Sequence, residues 1–375
     1  MGIVIQPYTE EHVPEVRLFN QRLLEGGAPS DFQFPASSVP RWLPKLDGRR
    51  VYNEFFLAID DAKAVRGTYV LKTQDFSIRG TVHTIGYYHH PFSEGIVNKT
   101  YARVGLQTLM NALRTQPLMY CLGMGGYDRP LPQMLIAMGW SHCLIPFYFK
   151  VIRAKAFLQN LQLLQSDNRK RLAANIAAVS GLGSFGLNAY QRWKAIQSPR
   201  VPAPRYESVP ELAGWAETVW QQSRGEYAML AVRDLEAVQV LYPADNKRLY
   251  KLQVFLRNEP GGWAVVADTQ MRDHPQYGNM RVGHIIDSLA RPEDAGSVMA
   301  AATRFLADRG VDIIMSNQSH AAWITALESN GFLQGPSNFI FATSKKLTGI
   351  LGPLEQTVTQ VHINRGDGDG LYQYL

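Results

Sequence analysis

The sequence predicts an α+β protein in which one strand-and-helix unit occurs twice. Three observations carry this reading. Residues 80–149 and 280–342 follow the same order of strand, loop, helix, strand, helix and strand. In both, a helix closes on glycine plus an aromatic, Gly139-Trp140 and Gly331-Phe332. In both, an aromatic strand follows shortly after. An internal repeat of this length points to two domains of one fold rather than to a solenoid. At 375 residues the chain is long enough for both domains to bury full cores.

Taken in order, IVIQPY is a short alternating strand. Thr9 then opens a helix, with Glu10 and Glu11 placing negative charge in its first turn and Gly26-Gly27 ending it. Residues 28–50 are polar and Pro-rich and read as loop or short helix. EFFLAID (54–60) and VRGTYVLKTQDFSI (65–78) read as strands joined by a turn at Asp60-Asp61. The first domain continues through the strand PFYFKVI near 146–152, which bounds it at 1–152.

Residues 153–205 form a helical connector, with Phe157, Leu161 and Leu164 on one face and a Pro-rich linker, SPRVPAPR, at its end. The second domain, 206–345, begins with the helix SVPELAGWAETVWQQS, capped by Ser208 with Pro210 in its first turn. KLQVFLRNE and GGWAVVADTQMR are strands meeting at a Pro260-Gly261-Gly262 turn. Residues 346–375 are a C-terminal tail.

Composition narrows the partners. The net charge of +6 favours anionic ones, such as phosphorylated cofactors, nucleotide-linked substrates or an anionic membrane surface. The charge is spread along the chain without a zinc-finger or RNP pattern, so nucleic acid is not expected. Cys121 and Cys143 stand outside any C-x-x-C pair or ligand cluster and read as buried thiols in a reducing cytoplasm, with no metal. The N-terminus lacks the basic and apolar regions of a signal peptide, and Pro7-Tyr8 do not complete a myristoylation signal after Gly2. A cytoplasmic location is expected.

Residues 172–187 are apolar and small, flanked by Arg169-Lys170-Arg171 and by Arg192 and Lys194. The stretch is too short and too broken to span a bilayer, and helix packing is favoured over contact with an anionic membrane surface. Its GLGSFG (181–186) has no strand before it and no acid after it, so a dinucleotide site is not read from it. RGDGDG (365–370) lacks the spacing and glutamate of an EF-hand loop and reads as a turn or a docked tail.

The order of elements and the Gly–aromatic helix ends resemble the GNAT (Gcn5-related N-acyltransferase) fold over about 1–152 and 206–345. The resemblance implies two tandem GNAT-like domains, each a mixed, mostly antiparallel twisted sheet flanked by helices. It also implies acyl-CoA as co-substrate, its pyrophosphate gripped by a Q/R-x-x-G-x-G/A loop before the long helix. There bare backbone N–H groups and the helix dipole meet the anion, and glycines allow close approach.

In the second domain the corresponding residues are Arg291 to Gly296. Asp294 replaces the middle glycine and Glu293 adds a second carboxylate, which opposes pyrophosphate; Pro292-Glu293-Asp294 also reads as an ordinary first helix turn. In the first domain, Glu94 to Gly105, the glycine pattern is degenerate but Lys99 and Arg103 carry the right charge. Lys99, Arg103, Val104 and Gly105 are the candidate cofactor-binding residues. Lys99 and Arg103 read equally well as solvated surface cations.

Acyl transfer to an amine needs a base. Alternation along HTIGYYHHPFSE turns some of His83, His89, His90 and Glu94 toward the cleft. The second domain offers His284, Asp287 and Ser288, then the run SNQSH at the open end of a strand, where ligands bind in such sheets. The candidate catalytic residues are Glu94, His90, His320 and Asp287, and the candidate substrate-binding residues are Asn317, Gln318 and Ser319. Ser316 or Ser319 also reads as a cap for the helix starting near Ala321. The general-acid tyrosine common in the family falls on Leu135 and Leu327, so it is absent twice.

The chain is also similar to tandem, motif-poor relatives of this fold, the Fem-type aminoacyl transferases and acyltransferases of bacterial surface-polysaccharide pathways. What the resemblance implies is direct transfer of an acyl group, most often acetyl from acetyl-CoA, to a small-molecule amine or amino sugar. The alternative is a GNAT-like binding or assembly protein that kept the fold and lost the chemistry. Oligomeric state is not legible in the sequence.

Overall fold

The computed structural model describes residues 2–160 and 204–368. Its first half contains β1 (Ile3–Pro7), α1 (Val13–Glu25), β2 (Tyr52–Asp60), β3 (Val65–Ile78), β4 (Thr81–His89), α2 (Val104–Thr115), β5 (Met119–Gly123), α3 (Pro130–Ala137), β6 (Ser141–Leu144), β7 (Phe147–Val151) and α4 (Ala154–Asn160). Its second half contains β8 (Arg205–Val209), α5 (Gly214–Ser223), β9 (Met229–Ala231), α6 (Leu235–Leu241), β10 (Tyr250–Leu256), β11 (Glu259–Gln270) and β12 (Arg281–Ala290). Then come α7 (Ala295–Asp308), β13 (Ile313–Asn317), α8 (Ala321–Ser329), β14 (Leu333–Gly335), β15 (Ile340–Thr343), α9 (Lys345–Leu351) and β16 (Val361–His362). The apolar stretch 172–187, with its GLGSFG, lies outside the described residues. Among the described residues no helix is long and apolar enough to cross a membrane.

Two units form, one from 1–143 with 340–356, the other from 144–339 with the segment from 357 onward. In the first, the strand order is β1-β2-β3-β4-β5-β15-β6. Strands β1 to β4 are antiparallel, and β4 pairs parallel to β5. Alternation along β3 divides the core. Val70 packs with Val16, Phe19 and Leu23 of α1, whereas Tyr69 and Leu71 pack with Leu109 and Ala112 of α2 and Leu135 of α3. Helix α1 enters through Thr9, whose hydroxyl meets the His12 Nδ1 at 2.8 Å.

In the second unit the order is β14-β7-β13-β12-β11-β10-β8, with β12 and β13 parallel. The repeated Gly–aromatic pair is a helix C-cap in both units. Gly139 and Gly331 take φ of 76° and 77°. The Trp140 N–H donates to the Leu135 carbonyl and the Phe332 N–H to the Leu327 carbonyl, both at 3.1 Å. The same turns bury Leu135 and Leu327.

Three details differ from the sequence reading. The aromatic strand β7 does not close the first sheet: it pairs antiparallel with β13, Ile313 opposite Val151, and β15 enters the first sheet beside β5 instead. Ser208 caps no helix, because Arg205–Val209 is a strand paired with β10, and α5 starts at Gly214. The β10–β11 turn is Arg257-Asn258, both with positive φ, and Pro260 to Gly262 already lie in β11. Positive φ at both positions is the type I′ form of a two-residue hairpin, which matches strand twist and which Asn tolerates.

Candidate functional site

In the first unit, β4 and β5 touch as parallel neighbours only at Gly86–Met119 and Tyr87–Tyr120. Gly86 is required there, since a Cβ would stand 2.8 Å from Leu71 and Gln116 side-chain atoms. Beyond it the rings stack. His89 lies on Tyr87 with centroids 4.6 Å apart, and Tyr87 lies on Tyr120 at 5.0 Å. His90 has left-handed backbone, φ 48°, and its Nδ1 is 2.7 Å from the His89 Nδ1, so one ring donates and the other accepts.

The loop after β4 is tied down by charge. Glu94 is buried and receives Arg22 Nε at 3.0 Å and Arg66 Nη1 at 2.9 Å. Arg66 also donates to Asp60 at 2.8 Å and lies over the Tyr101 ring at 4.3 Å. Desolvation pushes the Asp60 carboxyl up, but Arg66 and two backbone N–H groups outweigh it and hold it below its usual range. Glu94 thus anchors the loop to β3 and α1. Two glycines make the anchoring possible. A Cβ at Gly95 would stand 2.6 Å from the Tyr101 carbonyl oxygen, and one at Gly67 would stand 2.6 Å from Val104.

This loop delivers Lys99 and Arg103 to the start of α2. Both line a cavity of about 260 Å³ together with Tyr101, Val104 and Ile3. Both are exposed, and among the described residues neither has a carboxylate partner. No side chain caps the first turn of α2. Gly105 has room, a Cβ there meeting only Ser93 at 3.7 Å. Free cations, an uncapped helix start and open backbone are a fitting cradle for a polyanion. In the second unit the matching Arg291 is taken by Glu293 at 3.3 Å and Asp294 at 3.2 Å.

The second unit's polar run serves the chain itself. Strands β12 and β13 run parallel from Val282–Ile313 to His284–Met315. Past that pairing, the segment 361–368 meets residues of both strands. Asn364 Nδ2 donates to Asp287 at 2.8 Å, and Arg365 donates to Asn317 Oδ1 at 3.2 Å. Ser319 accepts from Ile363 N at 2.8 Å and donates to the Val361 carbonyl. Gln318 bridges Asn364 through the backbone. Asn317 also donates to the Pro146 carbonyl at 3.2 Å.

Arg233 joins Asp287 at 2.7 Å to Asp367 at 2.6 Å, and the Tyr242 hydroxyl donates to Asp287. Burial pushes the Asp287 carboxyl up; the Arg233 charge, with Tyr242 and Asn364, outweighs it and holds it low. Gly366 has no Cβ because one would stand 2.9 Å from both Asp287 and Tyr242. His320, and neither serine, caps α8 by accepting from Ala322 N at 3.2 Å. Burial lowers its pKa to about 4, and that of His362 to about 3. Both are therefore neutral near pH 7.

No protein-family model and no curated protein matches the sequence. Its fold, by contrast, matches solved structures. The N-myristoyltransferase of Saccharomyces cerevisiae, with bound myristoyl-CoA, aligns over 91% of this chain and 78% of its own, at 9% identity and a TM-score of 0.51. A GCN5-related N-acetyltransferase from Anabaena variabilis aligns over 91% of this chain and 72% of its own, at 9% identity and a TM-score of 0.50. This chain has the GNAT fold.

Within this GNAT-fold chain, Lys99, Arg103, Val104 and Gly105 meet at one helix start, with Glu94 anchoring the loop that leads there and His90 at the end of β4. Asp287, Asn317, Gln318 and Ser319 meet around the segment 361–368, with His320 capping the helix that follows. The sequence did not single out Arg22, Arg66, Arg233, Tyr242 or Asn364. Of these, Arg233 alone leaves a local signal, an arginine at the end of the apolar stretch MLAVR.

Proposed function

We propose that the protein is an acyl-CoA-dependent N-acyltransferase whose first unit binds the co-substrate. The observation that carries this is the contrast between the two helix starts. Lys99 and Arg103 are free beside a cavity, whereas Arg291 is neutralised by its own neighbours. Acetyl is the acyl group we favour, and a small-molecule amine or amino sugar the acceptor.

Acyl-CoA would supply an acyl carbon activated as a thioester. The chain's part is to hold the phosphates at Lys99 and Arg103, to orient the amine and to take one proton from it as the C–N bond forms and the C–S bond breaks. With Glu94 committed to two arginines, the His89–His90 pair is the better place for that proton. We also propose Asn317 to His320 as acceptor contacts, reached when the acceptor displaces the segment 361–368 that bonds to them. Calorimetry with acetyl-CoA on the full chain tests the proposal: micromolar binding is expected, and no binding of acetyl-CoA or a longer acyl-CoA overturns it.

A second reading has its own support. Buried leucines stand where both family tyrosines would be, and the chain's own segment satisfies the polar run of the second unit. On that reading the protein is a catalytically silent binding or assembly protein, of a polysaccharide or cell-envelope pathway. Acyl-CoA binding without turnover across a panel of amines would favour it.

A further inference from the structure

We propose that the first unit carries a groove for a phosphorylated single-chain lipid, running along α2 and β1. Beside the cavity at Lys99 and Arg103 lies a second, of about 400 Å³, and the two share Ile3 and Gln107. Its floor is Ile3, Ile5, Leu106 and Met110, with Arg114 at the far end. Leu106 and Met110 are 43% and 38% exposed, although side chains of this kind gain by burial. Arg114, like Lys99 and Arg103, is exposed and has no carboxylate partner among the described residues.

The occupant follows from the order of these features. Leu106 lies three residues after Arg103 on α2, so the apolar floor begins within one helical turn of the cationic end. From Arg103 to Arg114 the helix advances about 16 Å. A ligand that fits joins an anionic head directly to a hydrocarbon chain. In an acyl-CoA, the polar pantetheine arm separates phosphate from acyl chain, so its acyl group does not match this floor. The concave shape suits one inserted chain better than the flat face of a bilayer, and the stem of Arg114 extends the apolar wall while its head stays in water. This inference rests on the same cations that the acyl-CoA reading uses, so the two ligands compete for the phosphate seat.

The test uses the full chain and dodecyl phosphate below its micelle concentration, with inorganic phosphate and dodecyltrimethylammonium as controls, read by calorimetry. Dodecyl phosphate is expected to bind at least tenfold tighter than inorganic phosphate. Leu106→Gln with Met110→Gln should abolish that margin and leave inorganic phosphate unchanged. If the double variant does not fold, Met110→Gln alone makes the comparison. Equal affinity for the two phosphates, equal binding of the cationic amphiphile, or a margin that survives the substitutions each overturns the groove. A concentration-dependent dimer lost in Met110→Gln also overturns it, because a second copy would then be the occupant. If dodecyl phosphate binds and acetyl-CoA does not, the acyl-CoA reading fails alone. If acetyl-CoA binds and dodecyl phosphate behaves as inorganic phosphate, the groove fails alone.

Discussion

The Arg233 guanidinium donates to the Asp287 carboxylate at 2.7 Å, and neither side chain reaches solvent. Removing one member of such a buried pair leaves an uncompensated charge, at a cost of about 3–5 kcal/mol. Arg233→Leu is therefore expected to lower the unfolding free energy by about that amount in urea titration. Adding Asp287→Asn to that variant should recover part of the loss. An Arg233→Leu protein as stable as the parent contradicts the buried pair.

Acid should weaken the second unit from near neutrality. A pKa lower in the folded state gives stability that is full above the unfolded value and lost as pH falls through the folded one. For His320 and His362 the window opens below the unfolded value of about 6.5. It closes near the folded values of about 4 and about 3, which burial sets. Asp287, held low against its desolvation, adds a loss below its unfolded value of about 4. Melting temperature measured from pH 8 to pH 3 should fall through this range, and His362→Gln should fall less. Parallel curves for the two proteins would count against neutral burial of His362.

Gly95 and Gly105 should respond oppositely to alanine. At Gly95 a Cβ would collide with backbone at 2.6 Å, so Gly95→Ala is expected to disorder the loop and lower stability by about 1–3 kcal/mol. At Gly105 the nearest atom is 3.7 Å away, so Gly105→Ala should fold normally. If phosphates approach the backbone there, Gly105→Ala still weakens acetyl-CoA. Calorimetry together with thermal melting of both variants separates these effects.

Lys99→Glu with Arg103→Glu should weaken acetyl-CoA binding about tenfold or more, since two charge contacts of about a kcal/mol each are inverted. Both side chains are exposed, so melting temperature should hold. Unchanged affinity in a folded double variant removes the first unit as the binding unit.

Glu94→Gln removes the charge that Arg22 and Arg66 share. We expect a stability loss of about 1–3 kcal/mol in urea titration. If Glu94 were instead the reaction's base, activity would vanish while stability stayed at the parent level.

The repeat was legible because local chemistry writes it. Thr9, Gly139 and Gly331 act within a few residues of themselves, and caps and helix ends leave signals at that range. Strand partners do not. Phe147–Val151 has the same aromatic pattern whichever sheet it enters, so the sequence could not assign it to β13. Ser208 before Val209-Pro210 imitates a helix cap, but its residues pair with Leu252 and Lys251 across the sheet. The polar run Asn317 to His320 was visible as polar, but the partners of Asn317 and Ser319 come from Pro146 and from 361–365. Arg233 meets carboxylates 54 and 134 residues away, a distance at which no spacing rule operates.

The exchange of β7 and β15 has a consequence for how this chain is made. Fragments cut at the repeat boundary are each one strand short, because 1–152 lacks β15 and a piece starting at 206 lacks β7. On the ribosome the first sheet stays open between β5 and β6 until Ile340–Thr343 have been synthesised, since β15 belongs between them. Pairing Gly123 with Ile340 is a late, non-local event that slows folding. Until then the edge of β5 is a hydrogen-bonding template exposed to other chains. Coexpressed halves should rescue one another, each donating the strand the other lacks, whereas either half alone should aggregate.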